Sequence, residues 1–254
     1  MTEETVSLNA RARPMEAWRA LKKIRLDKEQ TDEVFRFVNA LGAGRARYLA
    51  TRFKADLEGR ALLSERLSLL PTLCDRERLK SLPEGTLGRA YHDFVHGENL
   101  TPEALVEAST GGREMSGEHE EEAYMRDRVR DAHDLWHVVT GYGREGIGEL
   151  CILTFSYAQL RHRGVGILCA IGSWLTIRRT EGIDVLPLVR EAYRRGRDCA
   201  WLPPVAWERL MELPLEEVRS RLALPPAPEY CRQKTAIMRD EMRQKSEAAE
   251  RRAA

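Results

Sequence analysis

A long apolar run is the first thing this sequence does not have. Its most apolar stretch, GVGILCAIGSWLTI at residues 164–177, is 14 residues long and has arginines on both flanks. A membrane-spanning helix needs roughly 20 apolar residues, so this segment is expected to be a core or interfacial helix. An excess of one charge is missing too: 41 Lys and Arg face 40 Asp and Glu. That balance excludes a uniformly basic surface, and no nucleic-acid partner is expected. The five cysteines, Cys74, Cys151, Cys169, Cys199 and Cys231, are odd in number and include no CxxC pair. Reduced, buried thiols are expected rather than a disulfide frame. The leading MTEETVSLNARARP has early acidic residues and no apolar centre, so neither a signal nor a transit peptide is expected. There is no Walker loop and no GxSxG elbow, which removes nucleotide and serine-hydrolase chemistry.

Strand-like alternation is also lacking, and helical spacing runs almost throughout the 254 residues. TDEVFRFVNAL (31–41) opens on Thr31 as a cap and stops at Gly42, and GRARYLATRFKADL follows. Asp75 is placed to cap a short helix that Pro83 ends, and TLGRAYHDFVH predicts a helix as far as Gly97. TPEALVEAS offers Thr101 as cap and Pro102 at the first helical position. STGGREMSGEHE predicts a loop, and EEEAYMRDRVRDAHDLWHVVT a long helix whose acidic first turn suits the helix dipole. After the glycines at 141, 143, 146 and 148, ELCILTFSYAQL predicts a buried helix. Residues 164–178, VLPLVREAYRRGRDCAW and LEEVRSRLAL supply three more. The expectation is an all-α, single helical domain: an N-terminal helical segment (1–80), a core (81–228) and a charged, flexible tail (229–254).

One motif carries chemistry. In HDLWHVVTGYGREGIGE (133–149), His133 and His137 lie four apart, on one face of a helix. Asp134 sits at the edge of that arc. Glu149 opens the next, apolar helix, where a buried carboxylate needs a cation, and the glycine-rich turn lets that helix fold back. Two imidazoles with carboxylates suit Zn2+, Fe2+ or Mn2+ better than magnesium or calcium. A second copy, HDFVH at 92–96, lacks the partner: twelve residues beyond His96 stands Ala108. His92 and His96 are expected to be exposed and not to bind metal. RHR (161–163) and RRGR (194–197) are either lipid-headgroup contacts or solvated helix ends.

Several stretches resemble one family. LPEGTLGRAY (82–91) is similar to its LPxGSLGxxY, and YMRDRVRDAHDLWHVVTGY to its YxxxRYRExHDxWHVLTG. GELCILTF is similar to GELALKWF, and RRGRDCAWLPPVAWERLMELPLEEVRSRLALPPAP to its closing pattern. The family is the fourth protein of coenzyme Q (ubiquinone) biosynthesis, the Coq-four family, and the resemblance runs from about residue 80 to 228. Val129 and Asp131 stand where the family has Tyr and Glu, and Pro203-Pro204 interrupts the closing pattern.

The resemblance implies an all-α fold with a lipid-accommodating cavity and a zinc site at His133, Asp134, His137 and Glu149. It implies oxidative decarboxylation at ring C1 of a polyprenylated 4-hydroxybenzoate. Two histidines and a carboxylate are also the pattern of non-haem iron oxygenases, so Fe2+ stays open beside Zn2+. Arg130, one turn before His133, is expected to pair with the substrate carboxylate. Gly164, Gly166, Ala170 and Gly172 form either a slot for the prenyl tail or close helix contacts. Expected partners are the polyprenylated precursor, other ubiquinone biosynthesis enzymes, the membrane as a peripheral surface (the cytoplasmic face in a bacterium) and a second copy in a homodimer. The alternative is a non-catalytic lipid-binding scaffold whose metal is structural.

Overall fold

In the computed structural model, the structure describes residues 15, 19, 31–41, 45–96 and 120–253. The helices are α1 (Thr31–Leu41), α2 (Arg45–Ala55), α3 (Leu57–Glu65), α4 (Leu70–Cys74), α5 (Arg76–Ser81), α6 (Leu87–His96) and α7 (Glu120–Asp131). After them come α8 (His133–Thr140), α9 (Gly146–Leu160), α10 (Arg163–Arg179), α11 (Val185–Asp198), a 3-10 turn (Trp207–Arg209), α12 (Leu215–Arg221) and α13 (Pro228–Ala253). The described residues contain no strand, only an isolated bridge between Thr86 and Pro214, so the all-α expectation holds. Gly42, Gly97, the TPEALVEAS helix and the loop at 109–119 lie outside the described residues, as does the side chain of His96.

Local chemistry sets several boundaries. The Asp56 carboxylate accepts from the N–H groups of Glu58 and Gly59 at 2.9 and 3.0 Å, capping α3. Asp75 caps α5 through Arg78 N–H at 3.2 Å, as expected. The long helix expected over 120–140 is two, α7 and α8, parted at Ala132, whose N–H still reaches Arg128 O at 3.0 Å.

Contacts gather the chain into two compact units. The first comprises Met1–Leu135, His162–Gly164 and Trp201–Val218. Phe53, Leu62, Met125 and Ala206 form a core cluster there, with Trp201 edge-on to Phe53. Beside Met125 on α7, the buried Arg128 guanidinium grips Glu208 through two 2.7 Å bonds. It also donates to the carbonyls of Leu67 and Val205 at 3.2 and 2.9 Å. The LPEGTLG segment packs against 211–215: Leu87 and Gly88 N–H donate to Leu213 and Met211 carbonyls, both at 2.9 Å.

The second unit comprises Trp136–Arg161, Val165–Ala200 and Arg219–Ala254. Its centre is α9, buried through Ile147, Leu150, Cys151, Ile152 and Phe155, as its apolar sequence requires. α11 lies close against it: a Cβ on Gly196 would come within 2.6 Å of the Phe155 carbonyl. Two guanidinium groups satisfy the last carbonyls of α8. Arg219 donates to Val138 and Val139 O at 3.1 and 2.8 Å, and the buried Arg195 to Thr140 O at 3.0 Å. Arg195, the second residue of RRGR, is therefore a structural cap, whereas Arg194 and Arg197 are exposed.

The tail differs from expectation. α13 buries Tyr230, Gln233, Ile237 and Asp240, a stripe at three- and four-residue intervals. Gln233 receives Asp184 N–H at 2.7 Å. Its charged composition hid four inward positions. All five cysteines are free; Cys151 and Cys169 are buried, Cys231 is exposed, and burial pushes the Cys169 thiol up to about 11.

Candidate metal centre

α8 turns Leu135, Trp136 and Val139 inward and carries both histidines of the motif. His137 is 1% exposed, and its Nδ1 lies 3.1 Å from the Tyr142 carbonyl oxygen. A carbonyl only accepts, so Nδ1 carries a proton, and in the neutral imidazole that leaves the lone pair on Nε2. That Nε2 lies 3.5 Å from Glu149 Oε1, on the first turn of α9. His133 stands one turn earlier on α8, at a spacing the helix itself fixes, and is half-buried. His133, His137 and Glu149 each offer a ligand atom within 4.8 Å of the others. No other such group of three occurs among the described residues. Asp134, half-buried beside His133, is not one of the three.

The turn between α8 and α9 needs its glycines. Gly141 has φ +77°, a left-handed conformation, and its N–H closes α8 on His137 O at 2.8 Å. A Cβ on Gly148 would fall 2.1 Å from the Gly143 carbonyl, so only glycine lets the turn fold onto the start of α9. The Glu149 side chain is 48% exposed, not buried as its apolar helix suggested. α9 buries the opposite face, and position 149 falls on the open one. Proximity to His137, not desolvation, therefore marks this carboxylate as a candidate ligand.

The donor set fits a metal. Ligands held at ~2.1 Å from one ion are at most ~4.2 Å apart, and the three donor atoms, within 4.8 Å of one another, are close to that spacing. An imidazole with one nitrogen held by a carbonyl is the usual arrangement of a metal-bound histidine. Two imidazoles and a carboxylate suit Zn2+, Fe2+ or Mn2+.

The remaining candidates fall out differently. His92 Nδ1 and Arg89 Nε both bond Asp93, at 3.0 Å, and these bonds outweigh burial to hold that carboxyl below its usual range. His92 thus belongs to a local cluster with Asp93 and Arg89. Arg130 donates to Asp131 at 2.8 Å and to Asp127 at 3.0 Å, partners the sequence reading did not foresee. Burial pushes the Asp131 carboxyl up despite Arg130. An open pocket of about 450 Å³ lies between α9, α10 and α11, lined by Tyr157, Gly166, Cys169, Ala170, Arg190 and Arg194 among others. Of the four small residues singled out, Gly166 and Ala170 line it. Gly164 and Gly172 serve close packing, since a Cβ there would lie 3.0 Å from Val38 Cα and 3.2 Å from the Leu150 side chain.

These features define a helical protein with a His/His/Glu donor group on consecutive helices. The chain belongs to the family of the coenzyme Q (ubiquinone) biosynthesis protein Coq4, whose model matches residues 15–228, well upstream of residue 80. Membership assigns it to ubiquinone biosynthesis. It is 30% identical over 194 residues to the mitochondrial ubiquinone biosynthesis protein COQ4 homolog of Mus musculus, covering 74% of this chain and 69% of that protein. The mitochondrial coq4 protein of Schizosaccharomyces japonicus is 30% identical over 183 residues, covering 72% and 74%. A crystal structure from Nostoc punctiforme, provisionally described as a ubiquinone biosynthesis protein, shares the fold. Its TM-score is 0.63 at 23% identity, over 84% of this chain and 98% of that one.

Proposed function

We propose that the chain catalyses metal-dependent oxidative decarboxylation at ring C1 of a polyprenylated 4-hydroxybenzoate. The observation that carries this reading is a donor group of three side chains, with His137 already oriented by the Tyr142 carbonyl. Three protein ligands leave a coordination position for substrate, whereas structural zinc sites close with four. The reaction exchanges carboxyl for hydroxyl: the aromatic acid and water give the phenol, CO2, two protons and two electrons, which a two-electron acceptor removes. A bound ion, Zn2+ with Fe2+ or Mn2+ as alternatives, supplies Lewis-acid polarisation of the acid's oxygens.

Arg130 is assigned the substrate carboxylate, by exchange with Asp127, the more exposed of its two partners (28% against 7% for Asp131). The pocket around Tyr157, Gly166 and Ala170 is assigned the first units of the prenyl tail. The test is metal analysis of purified protein, followed by an assay for CO2 release from a prenylated hydroxybenzoate with an electron acceptor. Arg130→Lys should keep its metal but lose roughly tenfold in turnover, because a bidentate fork becomes a point charge. Unchanged kinetics would remove Arg130 from the mechanism.

Peripheral membrane association belongs to the same reading. No helix among the described residues is long and apolar enough to cross a bilayer. The outer face of α10 does expose Ile167, Trp174 and Ile177, with the Arg178 guanidinium 4.1 Å from the Trp174 ring centroid. Arg190 and Arg194 on α11 are exposed as well. An apolar row beside arginines suits an anionic lipid surface. Trp174→Ala should weaken flotation with phosphatidylglycerol vesicles about tenfold, the effect of losing ~1.4 kcal/mol of burial. Equal flotation of both proteins would exclude this face.

A further inference from the structure

We infer that Tyr230, on the C-terminal helix, is a positioning residue for the metal-binding group, acting through its hydroxyl on the turn between α8 and α9. This rests on the metal reading above and adds a residue beyond the donor motif. The Tyr230 oxygen accepts the Gly143 N–H at 2.8 Å and donates to the Glu145 carboxylate. Its ring meets Tyr142 edge-on, with centroids 5.0 Å apart and planes at 81°. One side chain thus holds residues 142, 143 and 145 at once.

Both ends of that turn lead to a ligand. The Tyr142 carbonyl receives His137 Nδ1–H and so fixes which nitrogen faces the ion. Glu145 is the N-cap residue just before α9, and its carbonyl accepts the Glu149 N–H at 2.9 Å, setting the first turn that presents Glu149. The hydroxyl has no slack. A Cβ on Gly143 would lie 3.2 Å from it and 2.0 Å from the Glu145 carboxylate, so backbone, carboxylate and phenol occupy one tight space. Burial raises the Glu145 carboxyl, and the Tyr230 hydrogen bond opposes that rise, as expected of a bond to the charged form.

Tyr230 is itself mounted firmly. It is 3% exposed, and the Glu191 carboxylate on α11 accepts the N–H groups of Glu229 and Tyr230 at 2.7 and 3.1 Å. The first turn of α13 is therefore clamped to α11, and the hydroxyl carries that fixed reference to the turn. A tyrosine kept only for packing would not need its oxygen there.

Tyr230→Phe keeps the ring and removes the hydroxyl. The 254-residue chain is measured by competition with a chromophoric chelator for Zn2+, well below the melting temperature, and by the visible spectrum of its Co2+ form. Zinc affinity should fall several-fold, below the roughly 10- to 100-fold of a group bonded directly to a ligand because Tyr230 acts through the turn, and the Co2+ bands should shift at saturation. Ile237→Val, two turns along the same helix, is the reference: it loses core packing and should leave both readouts unchanged. Should Tyr230→Phe fail to fold, Glu145→Gln weakens the same bond and should lower zinc affinity several-fold. Zinc affinity of the folded variant within twofold of the wild type, with unshifted Co2+ bands, would overturn the inference alone. A wild-type protein that takes up no zinc, iron or manganese would overturn the metal reading and this inference together.

Discussion

Arg128→Met is expected to lower stability by roughly 3–5 kcal/mol, the range for removing one partner of a buried ion pair. The Arg128 and Glu208 side chains are only 2% and 8% exposed, so the substitution leaves a carboxylate stranded without water. Burial by itself works against the guanidinium charge, and Glu208 more than compensates, holding Arg128 above its usual range. Two carbonyls, of Leu67 and Val205, lose a donor at the same time. Urea unfolding of purified protein measures the loss. The double variant Arg128→Met, Glu208→Leu should recover much of it, because an apolar pair of similar volume needs no desolvation. A single variant within 1 kcal/mol of the wild type would mean that water reaches Glu208 and that the pair is not a structural tie.

Arg128 also shows where the sequence stopped being informative. Its type and place in the motif were readable, but Glu208 stands 80 residues away and no spacing rule connects them. Arg130 shows a different limit of the sequence. Helical spacing placed it one turn before His133, yet Asp127 and Asp131 on its own helix already engage its fork. Helix periodicity located the elements well because it reports which face is buried, and α9 is as apolar outside its first turn as its burial demands. The same rule misjudged Glu149, since an almost wholly apolar helix still has an open side. It also missed the four inward positions of α13 among many charges. Of the candidate site, His133, His137 and Glu149 were legible as a motif. The Tyr142 carbonyl was not, because a backbone oxygen has no sequence signature, and Tyr230 was not, because it joins the turn only in three dimensions.

Glu149→Gln is expected to produce the largest functional effect, and it separates an enzyme from a scaffold. The side chain is nearly isosteric, and at 48% exposure its loss of charge should scarcely affect folding. The amide oxygen is a far poorer ligand than a carboxylate, so metal content should fall by an order of magnitude or more, as it should in His133→Ala and His137→Ala. His92→Ala should retain full metal, since His92 belongs to the Asp93 and Arg89 cluster instead. A scaffold needs its apolar surfaces and helices but no open coordination position, so it would tolerate the change. An enzyme would not. Cells in which folded Glu149→Gln is the sole copy should accumulate the carboxylated prenyl precursor and make little ubiquinone, while the variant still floats with anionic vesicles. Near-normal ubiquinone in cells whose only copy is folded and metal-free would sink the catalytic assignment and leave the scaffold reading standing.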